Sequence, residues 1–131
     1  MIRLKVVARS LWTLYAICSD WGECPLEAFL ADRSQLGKDK DRMLRRLEAI
    51  ADHGPQYLPE ISHQIEPDIW QTEQGRLRIL WFYDRGRVIV CSHGFIKKTR
   101  KTPESEKALA RQVLWEYRSA KAAGAIRILE E

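Results

Sequence analysis

Apolar residues occupy every second position at the start of the chain. Ile2, Leu4 and Val6 alternate with Arg3 and Lys5, a period-2 pattern that predicts a short strand. Leu11–Cys18 (LWTLYAIC) is rich in aromatic and apolar residues and predicts a second extended run. The pattern leaves open whether the two runs make one bent strand or a strand with a loose arm. Asp20-Trp21-Gly22 turns the chain. Pro25 suits the first position of a short helix, with Leu26, Phe29 and Leu30 on one face. After the polar break Ser34–Asp41, a longer helix is predicted near Lys38–His53. Its apolar stripe is Met43, Leu44, Leu47, Ile50 and Ala51, and Arg42, Arg45, Arg46 and Glu48 face out. Gly54-Pro55 stops it.

Tyr57–Asp68 reads as an irregular connection, and Ile69–Glu73 as a strand leading into a hairpin near Leu77–Asp84 and Arg87–Phe95. Thr102-Pro103-Glu104 predicts a helix start, with a hydroxyl N-cap, proline at N1 and an acid against the positive end of the dipole. That helix is expected to reach about Ala122, with Leu109, Val113, Leu114 and Tyr117 as its stripe. Ala125–Glu131 is apolar enough to dock, on a partner the pattern does not name. The order β, α, α, three β, α predicts an α+β fold: an antiparallel sheet of about four strands with two N-terminal helices and a C-terminal helix. One domain is expected over 1–131, with 1–10 an extension and 124–131 a tail.

The hairpin register decides which side chains share a face. A two-residue turn at Arg85-Gly86 pairs Asp84 with Arg87, sets Arg78 opposite His93 and Arg76 opposite Phe95, and groups these residues on one sheet face. A three-residue turn shifts the register by one and moves His93 to the apolar side. The first register is preferred because it gathers the polar residues.

Charge sharpens this picture. From Arg76 to Lys101 there are eight Lys/Arg and one acid, Asp84, a net +7 in a chain whose total is +4, so the remainder sums to −3. One concentrated positive field on a weakly acidic body attracts phosphates. Solubility alone accounts for charges along a hairpin, but not for strand arginines converging with a dense Lys/Arg loop. No apolar run approaches the ~18–20 residues that cross a bilayer, and MIRLKVVARS lacks a signal-peptide apolar region. Cys18, Cys24 and Cys91 are odd in number and scattered, which suits reduced thiols in the cytoplasm. His53, His63 and His93 are far apart and there is no Cys-x-x-Cys, so neither a metal site nor a cofactor is expected.

The strand Arg76-Leu77-Arg78-Ile79-Leu80-Trp81-Phe82, the turn Asp84–Gly86 and the run Val88-Ile89-Val90 lead into His93-Gly94-Phe95-Ile96-Lys97-Lys98-Thr99 and Lys101-Thr102-Pro103. This pattern resembles the RelE/ParE superfamily of type II toxin–antitoxin toxins, and most nearly its HigB-like, phage-associated branch. Trp12, Phe29-Leu30 and a second helix ending at Gly54 fit more loosely. The resemblance implies an endoribonuclease acting on mRNA in the ribosomal A site and held inactive by a helix-turn-helix antitoxin. It implies Arg78, Lys97 and Lys98 as the catalytic face, with Arg76, Arg100 and Lys101 contacting phosphates. In the strand before the hairpin the branch carries an acidic-Leu-Arg element. Here Ile69–Gly75 reads IWQTEQG and holds no arginine.

RNA carries its own nucleophile, the 2′-OH. A metal-free enzyme must take that proton, neutralise the phosphorane and protonate the 5′-oxygen. Arg78 and Lys98 suit the second task. Arginine stays protonated, so the acid and base fall to a lysine among cations or to His93. Tyr117 is expected in the core, with a substrate-facing hydroxyl as the alternative. Trp70, Trp81, Phe82 and Phe95 suit base stacking or, more ordinarily, the core. Two other functions fit the same charge: a gyrase-inhibiting toxin that does not cut RNA, and a phage-derived nucleic-acid-binding accessory protein.

Overall fold

A computed structural model describes residues 1–57 and 59–129; position 58 of the expected connection and 130–131 of the tail lie outside the described residues. The elements in order are β1 (Ile2–Arg9), β2 (Thr13–Cys18), α1 (Pro25–Ala31), α2 (Gly37–His53), a 3₁₀ turn at Pro55–Tyr57, β3 (Ser62–Glu66), β4 (Ile69–Gln74), β5 (Leu77–Asp84), β6 (Val88–Ile96), α3 (Glu104–Ala122) and β7 (Ile126–Leu129). They form one seven-stranded sheet in the order β3-β4-β5-β6-β2-β1-β7. β2 runs parallel to β6 and β7 parallel to β1, while the other neighbours are antiparallel.

This corrects the expected four-stranded antiparallel sheet. The two N-terminal runs are separate strands of a hairpin, with Arg3 opposite Cys18 and Arg9 opposite Thr13. Helices α1 and α2 therefore follow two strands, where the expected order had one. The expected extension is β1, and the apolar tail docks on it as β7, with Leu4 opposite Ile128. A parallel pair needs a long crossover. For β2 and β6, α1, α2 and the meander β3–β5 supply that length.

Both faces of the sheet are covered. Leu14, Ala16, Leu77, Ile79, Trp81, Ile89 and Cys91 pack under Leu26 of α1 and Met43, Leu47, Ile50 and Ala51 of α2. On the opposite face, Leu4, Tyr15, Ile17, Leu80, Phe82, Val90 and Phe95 pack under Ala110, Leu114 and Tyr117 of α3. The stripes differ from the expected ones by a residue each. Leu44 and Leu109 are exposed, whereas Lys40 is buried, its ammonium over the Phe29 ring and donating to the Asp32 carbonyl at 2.5 Å. Lys40 thus ties α2 to the carbonyl end of α1.

Cys18 and Cys24 form a disulfide, which overturns the expectation of three free thiols. The turn at Asp20–Gly22, with Gly22 at φ +85°, brings the end of β2 back beside the start of α1. Cys91 is free and buried, and burial pushes its thiol up to about 12. At the start of α3, Pro103 is the N-cap rather than N1, and the Thr102 hydroxyl donates to Gln71 Oε1 at 2.6 Å instead of capping the helix.

Helix α1 lies directly on the β6 backbone at Gly94, where an added Cβ would sit 2.5 Å from Phe29 Cδ2. Gly94→Ala is therefore expected to push α1 off the sheet and destabilise the fold by about 1–3 kcal/mol. Thermal or urea unfolding measures this.

Candidate nucleic-acid interface

The β5–β6 loop has three residues, Arg85, Gly86 and Arg87, because Asp84 pairs with Val88. The two-residue turn is corrected. A three-residue loop alone would send His93 to the α2 side, but the register shifts again between Leu80 and Trp81, which face His93 and Cys91 with Ser92 between them. This bulge returns His93 to the Arg78 side. Arg78 faces Phe95, not His93, and Arg76 precedes β5, its carbonyl accepting the Lys97 N–H at 2.7 Å. The face that carries Arg78 and His93 is not open; α3 covers it.

Arg78 is buried at 8% exposure. Its Nη2 lies 2.8 Å from Glu73 Oε1, and its Nη1 donates to the Gly75 and Leu77 carbonyls, each at 2.8 Å. Glu73 is its direct cross-strand partner. The carboxylate also lies 3.7 Å from Nδ1 of His63, a half-exposed residue on the edge strand β3. Arg46 of α2 donates to the Glu73 carbonyl at 2.6 Å. The chain His63–Glu73–Arg78 thus crosses three strands, β3, β4 and β5, and neutralises the Arg78 charge within the protein. Sequence reasoning passed over Glu73 and His63 as site residues. The signal was a two-residue turn at Gly75-Arg76, which pairs Gln74 with Leu77 and Glu73 with Arg78.

His93 is 5% exposed, beneath α3. Its Nδ1 lies 2.8 Å from Ser92 Oγ, and its Nε2 lies 3.3 Å from Glu106 Oε1, off the angle of a hydrogen bond. Burial lowers its pKa below the ordinary 6.5 more than Glu106 raises it. Tyr117 is in the core, its hydroxyl donating to Asp84. Burial pushes the Asp84 carboxyl up, but Lys121, Tyr117 and the Arg85 N–H together hold it below the usual range. Trp81 and Phe82 are fully buried, Phe95 is 8% exposed, and Trp70 is half-buried.

The remaining candidates come together outside this covered region. Arg76, Lys98, Arg100 and Lys101 are exposed and Lys97 is half-buried, and none forms an ion pair with a described residue. The Lys97–Arg76 backbone bond and the Thr102–Gln71 bond pin the two ends of the basic loop to the start of β5 and to β4. The result is one end of the sheet with uncompensated positive charge beside the His63–Glu73–Arg78 chain. Such an end attracts phosphates over several ångströms and is weakened by salt. Among the described residues no three His, Cys, Asp or Glu gather as metal ligands, and no helix is long and apolar enough to cross a membrane.

Fold and site together define a small mixed-sheet protein with an anion-attracting end. The chain belongs to the phage-derived Gp49-like family, whose profile matches residues 33–115, from the approach to α2 into α3. That match contains His63, Glu73, Arg76, Arg78, His93 and the loop cations, and leaves β1, β2, α1, β7 and the end of α3 with Tyr117 outside it. No curated protein matches the chain.

Two outcomes separate a structural Arg78 from the loop cations. Arg78→Ala leaves Glu73 partly buried without its partner and is expected to cost about 2–4 kcal/mol in urea unfolding. Lys98→Ala is expected to leave the unfolding midpoint unchanged. The pH dependence follows from His93. Its depressed folded pKa means its contribution to stability is full above the unfolded value of 6.5 and is lost as pH falls through the folded value. Melting between pH 7.5 and 5 is expected to show this loss, and His93→Gln to flatten it. The Asp84 contribution is lost only below its unfolded value of 3.8.

Proposed function

We propose that this protein is the toxin of a type II toxin–antitoxin system, of the HigB-like kind, and a metal-free endoribonuclease that cuts mRNA on the ribosome. The observation that carries the reading is the set of five cations without acidic partners: Arg76, and Lys97, Lys98, Arg100 and Lys101 on a loop whose far end is held by Gln71, the cross-strand partner of His63. The Gp49-like family is associated with RelE-like toxins, which supports the same reading.

In this mechanism Arg76, Arg100 and Lys101 hold the RNA backbone. His63 takes the 2′-OH proton at Nε2, its Nδ1 side turned to Glu73. The 2′-oxygen attacks phosphorus and the bond to the 5′-oxygen breaks, giving a 2′,3′-cyclic phosphate and a 5′-hydroxyl. Lys98 neutralises the phosphorane, and Lys97 protonates the departing oxygen. Arg78 holds Glu73 in place and does not touch the substrate. His93 stays beneath α3 and shapes stability. A cytoplasmic helix-turn-helix antitoxin would cover the basic end with acidic residues.

One observation favours a second reading. The Arg78 charge is matched by Glu73 and His93 is covered, which also suits a nucleic-acid accessory protein that binds without cutting.

Inducing the wild type, Lys98→Ala and His63→Gln in cells and mapping mRNA 5′ ends distinguishes the two. The cleaving toxin is expected to arrest growth and leave new 5′-hydroxyl ends within coding sequences, with each variant reducing cleavage about 100-fold or more. Growth at the uninduced rate with no new ends contradicts it.

A further inference from the structure

A second site lies on the α2 side of the sheet, at the opposite end of β5 from the basic loop. A cleft of about 360 Å³ is lined by Trp12, His53, Gly54, Pro55, Gln56, Trp70 and Tyr83. This is within the ~300–1,000 Å³ range of small-molecule sites. The wall is built, not incidental. The Trp12 backbone N–H donates to the Ala51 carbonyl at 2.8 Å, which fixes the β1–β2 loop against the end of α2. Gly54, at φ +91°, lets the Trp12 indole lie close, since a Cβ there would sit 3.1 Å from its Nε1. Tyr83 meets Trp12 at 5.7 Å and Trp70 edge-on at 5.4 Å, while Trp81 stacks beneath Trp70 at 5.5 Å.

Hydrogen bonding separates the cleft rings from the core ring below them. Trp81 donates its Nε1–H to Thr72 at 2.9 Å. Trp12 Nε1, Trp70 Nε1 and Tyr83 Oη bond to no described residue, and all three side chains are half-buried rather than sealed. Buried aromatic residues with a polar tip usually satisfy it. Here three donors and two exposed polar side chains, His53 and Gln56, stand around one aromatic hollow.

The charge around the cleft selects among ligands. A cage of aromatic rings alone would suit a cation. Outside the lining, exposed Arg85 and Arg87 follow Tyr83 in the β5–β6 loop, and exposed Arg9 pairs with Thr13, the residue after Trp12. The Arg87 carbonyl accepts the N–H of Thr13, beside Trp12, at 3.0 Å. The nearby Asp84 carboxylate is occupied by Lys121 and Tyr117, which leaves Asp52 as the exposed acid at the end of α2. Cations are disfavoured there. A flat aromatic group that accepts hydrogen bonds and carries a negative charge fits.

We propose that this cleft binds the nucleobase of a nucleotide, stacked against Trp12 and Trp70 and hydrogen-bonded by Gln56, with its phosphate toward Arg85 and Arg87. Base–aromatic stacking contributes about 1–3 kcal/mol per base. The base could belong to a free nucleotide or to an RNA strand. The assignment is independent of the toxin reading, because it uses other residues, the other sheet face and the other end of β5.

The test reads the indole N–H signals of the five tryptophans in ¹⁵N-labelled full-length protein, assigned through Trp→Phe variants. AMP, ribose 5-phosphate, tetra-adenylate RNA and a proline-rich peptide are titrated in turn. AMP is expected to shift the Trp12 and Trp70 signals saturably and leave Trp21, Trp81 and Trp115 in place. Gln56→Ala, at an exposed position, is expected to weaken AMP binding about 3–10-fold, and Lys98→Ala to leave it unchanged. Tighter binding of tetra-adenylate than AMP assigns the site to an RNA strand, and equal binding to a free nucleotide; both support a nucleobase site. No saturable shift at Trp12 and Trp70 overturns the proposal. So do equal shifts from ribose 5-phosphate, or shifts from the peptide alone.

Discussion

Strand β5 is covered on both faces, and much of the molecule follows from that constraint. Leu77 through Phe82 are all buried, alternately under α2 and under α3. A charge on such a strand must be matched where it stands, since an unpaired buried ion costs several kcal/mol. Arg78 meets the condition through Glu73 across the ladder and through two backbone carbonyls. The positive charge that remains for a partner is therefore displaced to the ends of the hairpin: Arg76 and the loop 97–101 at one end, Arg85 and Arg87 at the other. The protein has two positive ends with an apolar span between them.

The same constraint divides the labour among candidate chemical groups. Arg78 and His93 share the α3 side, and both are engaged with carboxylates from neighbouring elements, Glu73 and Glu106. Their role there is packing and electrostatic balance. His63 differs because β3 is an edge strand and its imidazole is half-exposed, while Glu73 lies near enough to orient it. The exposed loop cations have little to hold them in one geometry except the backbone bond at Lys97 and the Thr102–Gln71 bond. An RNA phosphate would supply the missing counter-charge.

Local patterns in the sequence revealed most of the elements. Both helices before the hairpin, the β5–β6 pair and the Gly54 stop lie where periodicity and Gly/Pro placement put them. What escaped was β3, Ser62–Glu66, which was expected to be irregular connection but pairs with β4, and the long-range pairings. Four residues of an apolar tail, Ile126–Leu129, gave no sign of pairing with a strand more than a hundred positions earlier. The parallel contact of β2 with β6 likewise rests on a crossover that periodicity does not encode. The hairpin shows how two local errors can cancel: the loop holds three residues instead of two, and the bulge at Ser92 restores the face that the shorter loop would have given His93. The disulfide was missed because an odd number of cysteines argues against a framework but not against a single bridge. At the site, the basic loop was legible as charge density, whereas burial of Arg78 and His93 depended on α3 lying over their face.

In the proposed toxin the loop cations, and not Arg78, carry the interaction with RNA. The most direct measurement is the slope of log K against log salt for a single-stranded RNA, in the wild type and in a variant with Lys97, Lys98, Arg100 and Lys101 changed to Gln. Each phosphate contact contributes about −0.7 to that slope for single strands. Five loop-end contacts give an expected wild-type slope of about −3.5, shrinking in magnitude to about −0.7 in the variant while its unfolding midpoint is unchanged. An unaltered slope in the folded variant would contradict it.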